Sequence, residues 1–192
     1  MRSRILIGVF LAMLPAGALA QGTGEETAGI PEPAAEGVVD VQISQPLVTK
    51  KFGEITLPFS WTVEETEDRV TAVEKLSDQP AVFALDLVKY PQMMPERKVV
   101  DEIANVLAKA LGTQGKVEKR KQKLDCGKKT CPEIVYYTVE LEGTEDGVMR
   151  KCALEMIPSK GQVVTLSICA EAAVKYSMPL PDILHQIFLH MK

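Results

Sequence analysis

Residues 133–170, EIVYYTVELEGTEDGVMRKCALEMIPSKGQVVTLSICA, decide the fold of this chain. Three segments of this stretch alternate apolar and polar side chains, as half-buried β-strands do. Glycine-containing connections at 142–147 and 158–161 separate the segments and suit hairpins. The stretch therefore predicts three consecutive antiparallel strands. Their expected bounds are 133–142, 148–157 and 162–170.

Amphipathic helices are predicted on both sides of this meander. Before it, Lys98–Leu111 places its apolar side chains on one face at a period of 3.6, and Gly112 suits the end of the helix. After it, a second helix is expected to start near Pro181. Its apolar side is formed by Ile183, Leu184, Ile187, Phe188 and Met191.

Further strands are predicted before the first helix. Residues 82–88 form a nearly continuous apolar run, which is typical of a strand buried on both faces. Such a strand needs a covering layer on each side of its sheet. We therefore expect an α+β fold, an antiparallel sheet with helices packed on its faces. The expected early strands are Val39–Ile43, Phe52–Pro58, Val70–Lys75 and Ala81–Lys89.

The first twenty residues have the layout of a secretory signal peptide. Arg2 and Arg4 precede an apolar run at 5–14, and residues 18–20 form an A-x-A cleavage site. The run is about half the length that spans a bilayer. We therefore expect export, most simply into a bacterial periplasm, without a membrane span. The expected parts are a signal peptide at 1–20, a flexible leader at 21–38 and a single domain at 39–192.

Composition and motifs argue against two classes of function. The chain carries 22 Lys and Arg against 26 Asp and Glu, and this acidic balance disfavours general nucleic-acid binding. Neither a G-x-S-x-G nor an H-E-x-x-H motif occurs. The two histidines, His185 and His190, are rotated by about 140° on a helix, so they cannot share one metal ion. We expect no catalysis, no metal and no cofactor.

An even number of cysteines behind a signal peptide indicates disulfides. A tight reversal is expected between Cys126 and Cys131, which makes them the preferred pair and leaves Cys152 with Cys169. A thiol–disulfide enzyme is the alternative, but its usual C-x-x-C motif at a helix N-terminus is missing.

The strand pattern raises a difficulty for the second pair. Cys152 falls on the same side of its strand as Leu154, whereas Cys169 falls on the side opposite Ile168. If Leu154 and Ile168 share a face of the sheet, the two cysteines point apart. A bulge, or burial of both faces, would remove the conflict.

A basic stretch at 116–129 is the most unusual surface feature. It holds seven basic and two acidic residues, and both faces of its expected strand, Lys116–Leu124, are polar. Such a strand belongs at an edge, where lysines prevent unwanted strand pairing. The alternative is a docking site for an anionic partner. The acidic segment Glu64–Asp68 is most simply a solvated loop, and pairing with the basic strand is the alternative.

Two further segments are candidate contact surfaces. Trp61 is expected to fill the core, and a ligand platform is the alternative. The loop Tyr90–Pro95 carries methionines, which suit adaptable binding surfaces when they are exposed and pack under a helix otherwise. The candidate partner-binding residues are Lys119, Arg120, Lys121, Lys123, Tyr90, Met93 and Met94.

This order of elements resembles the PsbP-like fold family. Gly53–Pro58 followed by Trp61 is similar to the opening strand of that family, and residues 135–141, 149–157 and 161–168 resemble its bacterial periplasmic DcrB group most closely. The match spans about residues 52–192. The resemblance implies an α/β sandwich that serves as an accessory or binding module, with no shared catalytic motif. The cysteines depart from the family pattern.

We therefore expect an exported accessory protein that binds an envelope or secretion-system protein, or an anionic surface. A carrier of small lipophilic ligands, with a cavity near Trp61, is the alternative from another functional class.

Overall fold

The computed structural model of the chain describes residues 38–58, 61–74, 80–123 and 133–191. The predicted signal peptide and most of the predicted leader lie outside these ranges. The elements are β1 (Ile43–Thr49), β2 (Gly53–Pro58), β3 (Thr62–Glu65), β4 (Arg69–Val73), β5 (Val82–Lys89), α1 (Glu96–Ala110), β6 (Glu118–Lys123), β7 (Glu133–Glu145), β8 (Val148–Ser159), β9 (Gln162–Glu171) and α2 (Leu180–Leu189).

Seven strands form one antiparallel sheet in the order β3-β4-β5-β9-β8-β7-β6, and β1 pairs with β2 in a separate hairpin. The predicted α+β class is therefore confirmed. Two early details differ from the prediction. The first strand begins at Ile43, and Val39 instead forms a single bridge with Tyr176. The strand β3 was not predicted, because three of its four residues are exposed and leave no apolar alternation.

One face of the sheet carries the larger core, and we call it the α2 face. The helix α2 packs over β8 and β9 and contacts the β1–β2 hairpin. Phe83 and Leu85 of β5 are fully buried in this core together with Ile187 of α2. Trp61 belongs to the same core and is 4% exposed, as predicted.

The opposite face, the α1 face, is covered by α1 over β7 and β8. Val100 and Ile103 of the helix pack in one buried cluster with Leu154 and Met156 of β8. Because both faces of the sheet are covered, its central strands are apolar on both sides. This burial explains the nearly continuous apolar run of β5 that the sequence shows.

Burial of both faces also accounts for the second cysteine pair. Cys152 of β8 lies directly opposite Cys169 of β9, and the two form a disulfide with their Cα atoms 4.1 Å apart. The neighbouring pair, Ala153 and Ile168, belongs to the core of the α2 face, whereas Cys152 belongs to the cluster of the α1 face. The conflict between the two strands is thus removed without a bulge. The other predicted pair, Cys126 with Cys131, lies outside the described residues.

The β7–β8 hairpin is tighter than the sequence predicted. Its turn consists of Asp146 and Gly147, both with positive φ (51° and 84°), as a two-residue hairpin turn with the favoured twist requires. The expected connection also included Gly143, which lies inside β7 instead. A Cβ at Gly143 would collide with the backbone of Leu111, whose carbonyl accepts a hydrogen bond from the Thr144 amide at 2.9 Å. This glycine therefore lets the end of α1 approach the sheet.

Candidate functional site

The α2 face changes character toward the β6 edge. Near α2 and the hairpin it is apolar, but the strands β6, β7 and β8 present mainly polar side chains on this face. Three of them, Glu118, Thr138 and Glu155, lie side by side in one row of the sheet. The polar side chains on this part of the face are Glu118, Arg120, Thr138, Glu140, Glu142, Lys151 and Glu155.

Three cavities lie along this polar surface, with volumes of about 630, 210 and 280 Å³. Glu140 lines all three cavities, while Arg120 and Pro181 each line two. The cavities therefore form one groove, bounded by β7 on one side and by the first turn of α2 on the other. We call it the β7–α2 groove.

A buried carboxylate–imidazole pair lies at the centre of the groove. Glu155 is 5% exposed, and its Oε1 lies 3.0 Å from Nδ1 of His185 on α2. The His185 ring stacks on Tyr136, with 5.8 Å between ring centroids, and also contacts Phe188. The second oxygen of Glu155, Oε2, is buried and has no hydrogen-bond partner among the described residues.

The buried position of Glu155 changes its acid–base behaviour. Burial raises the pKa of Glu155 above its ordinary value, because a charged carboxylate loses hydration there, and His185 offsets part of this rise. The pKa of Tyr136 is also raised, first by burial and then by the negative charge of Glu155, while Arg120 lowers it. Glu155 therefore takes up a proton at a higher pH than an exposed glutamate.

The two cations that line the smaller cavities share a single carboxylate, that of Glu118. Arg120 donates a hydrogen bond to Glu118 at 2.7 Å, and the Lys116 ammonium lies 3.5 Å from the same carboxylate. Glu140 and Asp182 make no ion pair within the described part of the chain. The lining consequently keeps an acidic character. Among the described residues, no three His, Cys, Asp or Glu side chains are close enough together to hold a metal ion.

The predicted basic strand is an edge strand of the sheet. Lys119, Lys121 and Lys123 are exposed and point toward the α1 face, whereas Arg120 points into the β7–α2 groove. Lys121 lies 2.7 Å from Glu133 of β7, and this contact lowers the pKa of the Glu133 carboxyl. The edge position is confirmed, and it agrees with both the protective and the docking interpretation.

The acidic segment 64–68 cannot pair with the basic strand. It includes the end of β3, which is the opposite edge of the seven-stranded sheet. Its carboxylates have nearer partners: Glu65 accepts a hydrogen bond from the Lys50 amide at 2.7 Å, and Asp68 pairs with Lys51. The alternative that this segment pairs with the basic strand is therefore wrong, because the strand order separates the two segments.

The loop Tyr90–Pro95, which precedes α1, is held against the rest of the protein by Tyr90 and Met94. Tyr90 is 8% exposed, and its hydroxyl donates a hydrogen bond to the Ser159 carbonyl at 2.8 Å. Met94 is partly buried against the α1 cluster, but Met93 is 97% exposed. Of the three loop residues predicted to bind a partner, Met93 alone lies fully on the surface. Tyr90 is buried instead, because its ring is covered by the protein itself.

Sequence reasoning did not single out Glu155, and it considered His185 only as a metal ligand together with His190, which the helix geometry excluded. A signal for the pair existed in hindsight. Glu155 is the one charged residue in the apolar stretch 152–157, and His185 is flanked by the apolar positions of α2. The strand order, which brings β8 under α2, was needed to join them. The second histidine, His190, lies apart, with Nδ1 2.7 Å from the Gln186 carbonyl.

In the described part of the chain, neither helix has the length and apolar character that crossing a bilayer requires. Comparison with protein-family models gives no match, and comparison with curated proteins gives none either. Among solved structures, the chain is similar to LpqN of Mycobacterium tuberculosis, a protein involved in cell envelope biogenesis. The sequence identity is 20% and the TM-score is 0.44, over 77% of this chain and 87% of LpqN. A likeness of this degree assigns neither a family nor a function.

Proposed function

We propose that this protein is an exported accessory protein that binds an acidic partner of the cell envelope along β6 and catalyses no reaction. The observation that carries the proposal is the placement of four exposed basic residues on the edge strand of the sheet. An edge strand offers backbone groups to an added strand, and its cations attract acidic segments before contact.

Two features support export. The sequence predicts a signal peptide at 1–20, and the structure joins Cys152 to Cys169. Disulfides form and persist in oxidising compartments such as the periplasm. A protein with both features is expected to meet its partner outside the cytoplasm.

The charge of the β6 edge supports an acidic partner. Lys119 forms no ion pair with another described residue, and only Lys121 has its charge matched across the strand pair, by Glu133. The strand β6 thus carries more positive charges than the acidic side chains around it neutralise. Such a surplus raises the rate of encounter with an acidic surface at low salt.

Membership of the PsbP-like family is part of the same proposal. It is supported by the succession of elements, in which early strands, a helix, an antiparallel meander and a final helix follow one another. The lipophilic-carrier alternative has no such support, since Trp61 is buried in the core and lines none of the three cavities of the groove. An experimental structure that superposes on DcrB-group proteins over residues 52–192 would establish the membership, and a different strand order would refute it.

Crosslinking in intact cells, followed by mass spectrometry, tests the partner. The test variant reverses Lys119, Lys121 and Lys123 to Glu and leaves Arg120 unchanged, because Arg120 also lines the β7–α2 groove. The control variant reverses three exposed lysines away from β6, Lys50, Lys109 and Lys160.

We expect one dominant envelope partner that crosslinks to the wild type and to the control but not to the test variant. The midpoint of thermal unfolding should be similar for all three proteins. Equal crosslinking of both variants, or the absence of a specific partner, would refute the proposal. The lysines of β6 would then serve only to prevent unwanted strand pairing at the edge of the sheet.

A further inference from the structure

We propose that the β7–α2 groove binds a linear aliphatic polyamine, with Glu155 as the buried acceptor of one ammonium group. The site lies on the α2 face, away from Lys119, Lys121 and Lys123, and of the basic residues of β6 it shares Arg120 alone with the docking surface.

Glu155 provides the first argument. A buried carboxylate oxygen without a partner is costly, and native proteins rarely leave such an atom unsatisfied. Oε2 of Glu155 is such an atom, and its residue lines the 210 Å³ cavity of the groove. His185 already occupies Oε1. An ammonium group offers three donors and would satisfy Oε2 by a charge-assisted hydrogen bond.

The remaining charges of the groove point to a cation. Glu140 and Asp182 line the same cavity as Glu155 and have no ion pair within the described residues. Of the cations nearby, Arg120 and Lys116 share the carboxylate of Glu118, and Lys151 lines only the 630 Å³ cavity, where it lies opposite Glu142. An anionic ligand would therefore meet unpaired carboxylates, whereas a cationic ligand would neutralise them.

The spacing of the carboxylates selects an organic cation over a metal ion. Metal ions need several ligands within about 2.0–2.6 Å of one point. Among the described residues no three potential metal ligands converge in this way. Carboxylates that are spread along a groove suit a ligand whose positive charges are also spread along a chain.

The shape of the groove suits an extended chain. The residues of β7 that line it run from Tyr136 to Glu142, which corresponds to about 20 Å of strand. The 630 Å³ end combines Glu142 and Glu171 with apolar side chains from the β9–α2 connection and the start of α2, including Met178 and Leu180. Methylene segments can pack on the apolar wall while the ammonium groups face the carboxylates.

Isothermal titration calorimetry with spermidine, at physiological ionic strength, tests the inference. The wild type is compared with Glu155→Gln, which keeps the size of the side chain but removes its charge. The matched control is Glu64→Gln, which removes one exposed carboxylate from β3 at the opposite edge of the sheet. Putrescine and 1,4-butanediol serve as a shorter and an uncharged ligand, and circular dichroism verifies that each variant is folded.

We expect saturable binding of spermidine, weaker binding of putrescine and none of the diol. Glu155→Gln should weaken spermidine binding about tenfold or more, as expected for the loss of one charge-assisted hydrogen bond, while Glu64→Gln should bind like the wild type.

Equal affinity of the two variants would show that spermidine senses net charge alone and would overturn the inference. Absence of saturable binding by the folded wild type would overturn it as well. Should Glu155→Gln not fold, the exposed rim variant Asp182→Asn takes its place. Neither result bears on the β6 surface, which the crosslinking experiment tests separately.

Discussion

The two halves of the α2 face of the sheet differ sharply. On the half formed by β4, β5 and β9, Phe83, Leu85 and Ile168 are all fully buried under α2 and the β1–β2 hairpin. On the half formed by β6, β7 and β8, the corresponding positions include Thr138 and Glu140, which line an open groove. The same sheet thus has an apolar half that is covered and a polar half that α2 covers only over β8.

The difference shows how the fold can keep part of a sheet surface accessible to a ligand. The strands β7 and β8 are held from behind by α1, whose buried cluster includes Leu141, Leu154 and Met156. Their front side therefore does not need apolar cover to stay folded. On the α2 face, most stabilising contacts lie in the apolar half and the candidate binding contacts lie in the polar half. Substitutions can test this separation.

The largest effect is expected in the apolar half. Phe83→Ala removes a fully buried aromatic side chain and should lower the free energy of unfolding by about 3–5 kcal/mol. Urea unfolding followed by circular dichroism measures the loss. A loss below about 1 kcal/mol, which is typical of substitutions at the protein surface, would contradict the distinction between the two halves.

The disulfide joins the two halves, since Cys152 lies on β8 and Cys169 on β9. Replacing both cysteines by alanine removes a crosslink between residues 17 positions apart and should cost about 3 kcal/mol on the chain-entropy estimate. Urea unfolding should nevertheless remain a single transition. Two separate transitions would show that the halves are independent units, and an unchanged midpoint would show that the crosslink contributes nothing.

The buried Glu155 should give the polar half a distinctive pH dependence. Its folded-state pKa is raised by burial, so the folded state holds the proton more tightly than the unfolded chain. The protonated Glu155 side chain therefore contributes fully to the stability of the wild type at a pH below the ordinary pKa of glutamate. This contribution is lost as the pH rises through the raised pKa of the folded state.

The variant Glu155→Gln has no ionisable group at this position. Its stability relative to the wild type should therefore increase as the pH rises from the ordinary pKa of glutamate through the raised pKa of Glu155, and then level off. The groups that face Glu155 are Tyr136 on β7 and His185 on α2, and both are kept unchanged. Thermal unfolding at a series of pH values from acid to neutral provides the comparison. A difference that stays constant with pH would contradict the raised pKa.

The smallest effect on stability is expected at the centre of the groove. Glu140→Gln removes a charge that has no ion-pair partner within the described residues, and the free energy of unfolding should change by less than about 0.5 kcal/mol. The measurement is the same urea unfolding as for Phe83→Ala. A loss of several kcal/mol would mean that the polar half is structural after all.

Much of the architecture could be predicted from local sequence patterns. The strands β7–β9 and both helices follow from apolar periodicity, and β5 follows from its nearly continuous apolar run. The edge position of β6 follows from polar side chains on both of its faces. The strand β3 was missed because it lacks that signal, having only Val63 partly buried.

The candidate site was harder to predict than the fold. Glu155 and His185 are 30 residues apart, and only the packing of α2 over β8 brings them together. The loop that holds Tyr90 was a candidate surface because of its methionines, with packing under a helix as the alternative, and for Tyr90 a hydrogen bond to Ser159 decides for packing. Long-range contacts of this kind leave no periodic trace in a single sequence.

The division between the two halves is tested most directly by thermal unfolding of the wild type and Glu140→Gln, each with and without spermidine. Glu140 lines all three cavities of the groove, so its loss should weaken the ligand without weakening the fold. We expect the same midpoint for both proteins without ligand, and a rise on adding spermidine that is smaller in the variant. A lower midpoint of the variant without ligand, or an equal rise in both proteins, would contradict the assignment of the polar half to binding.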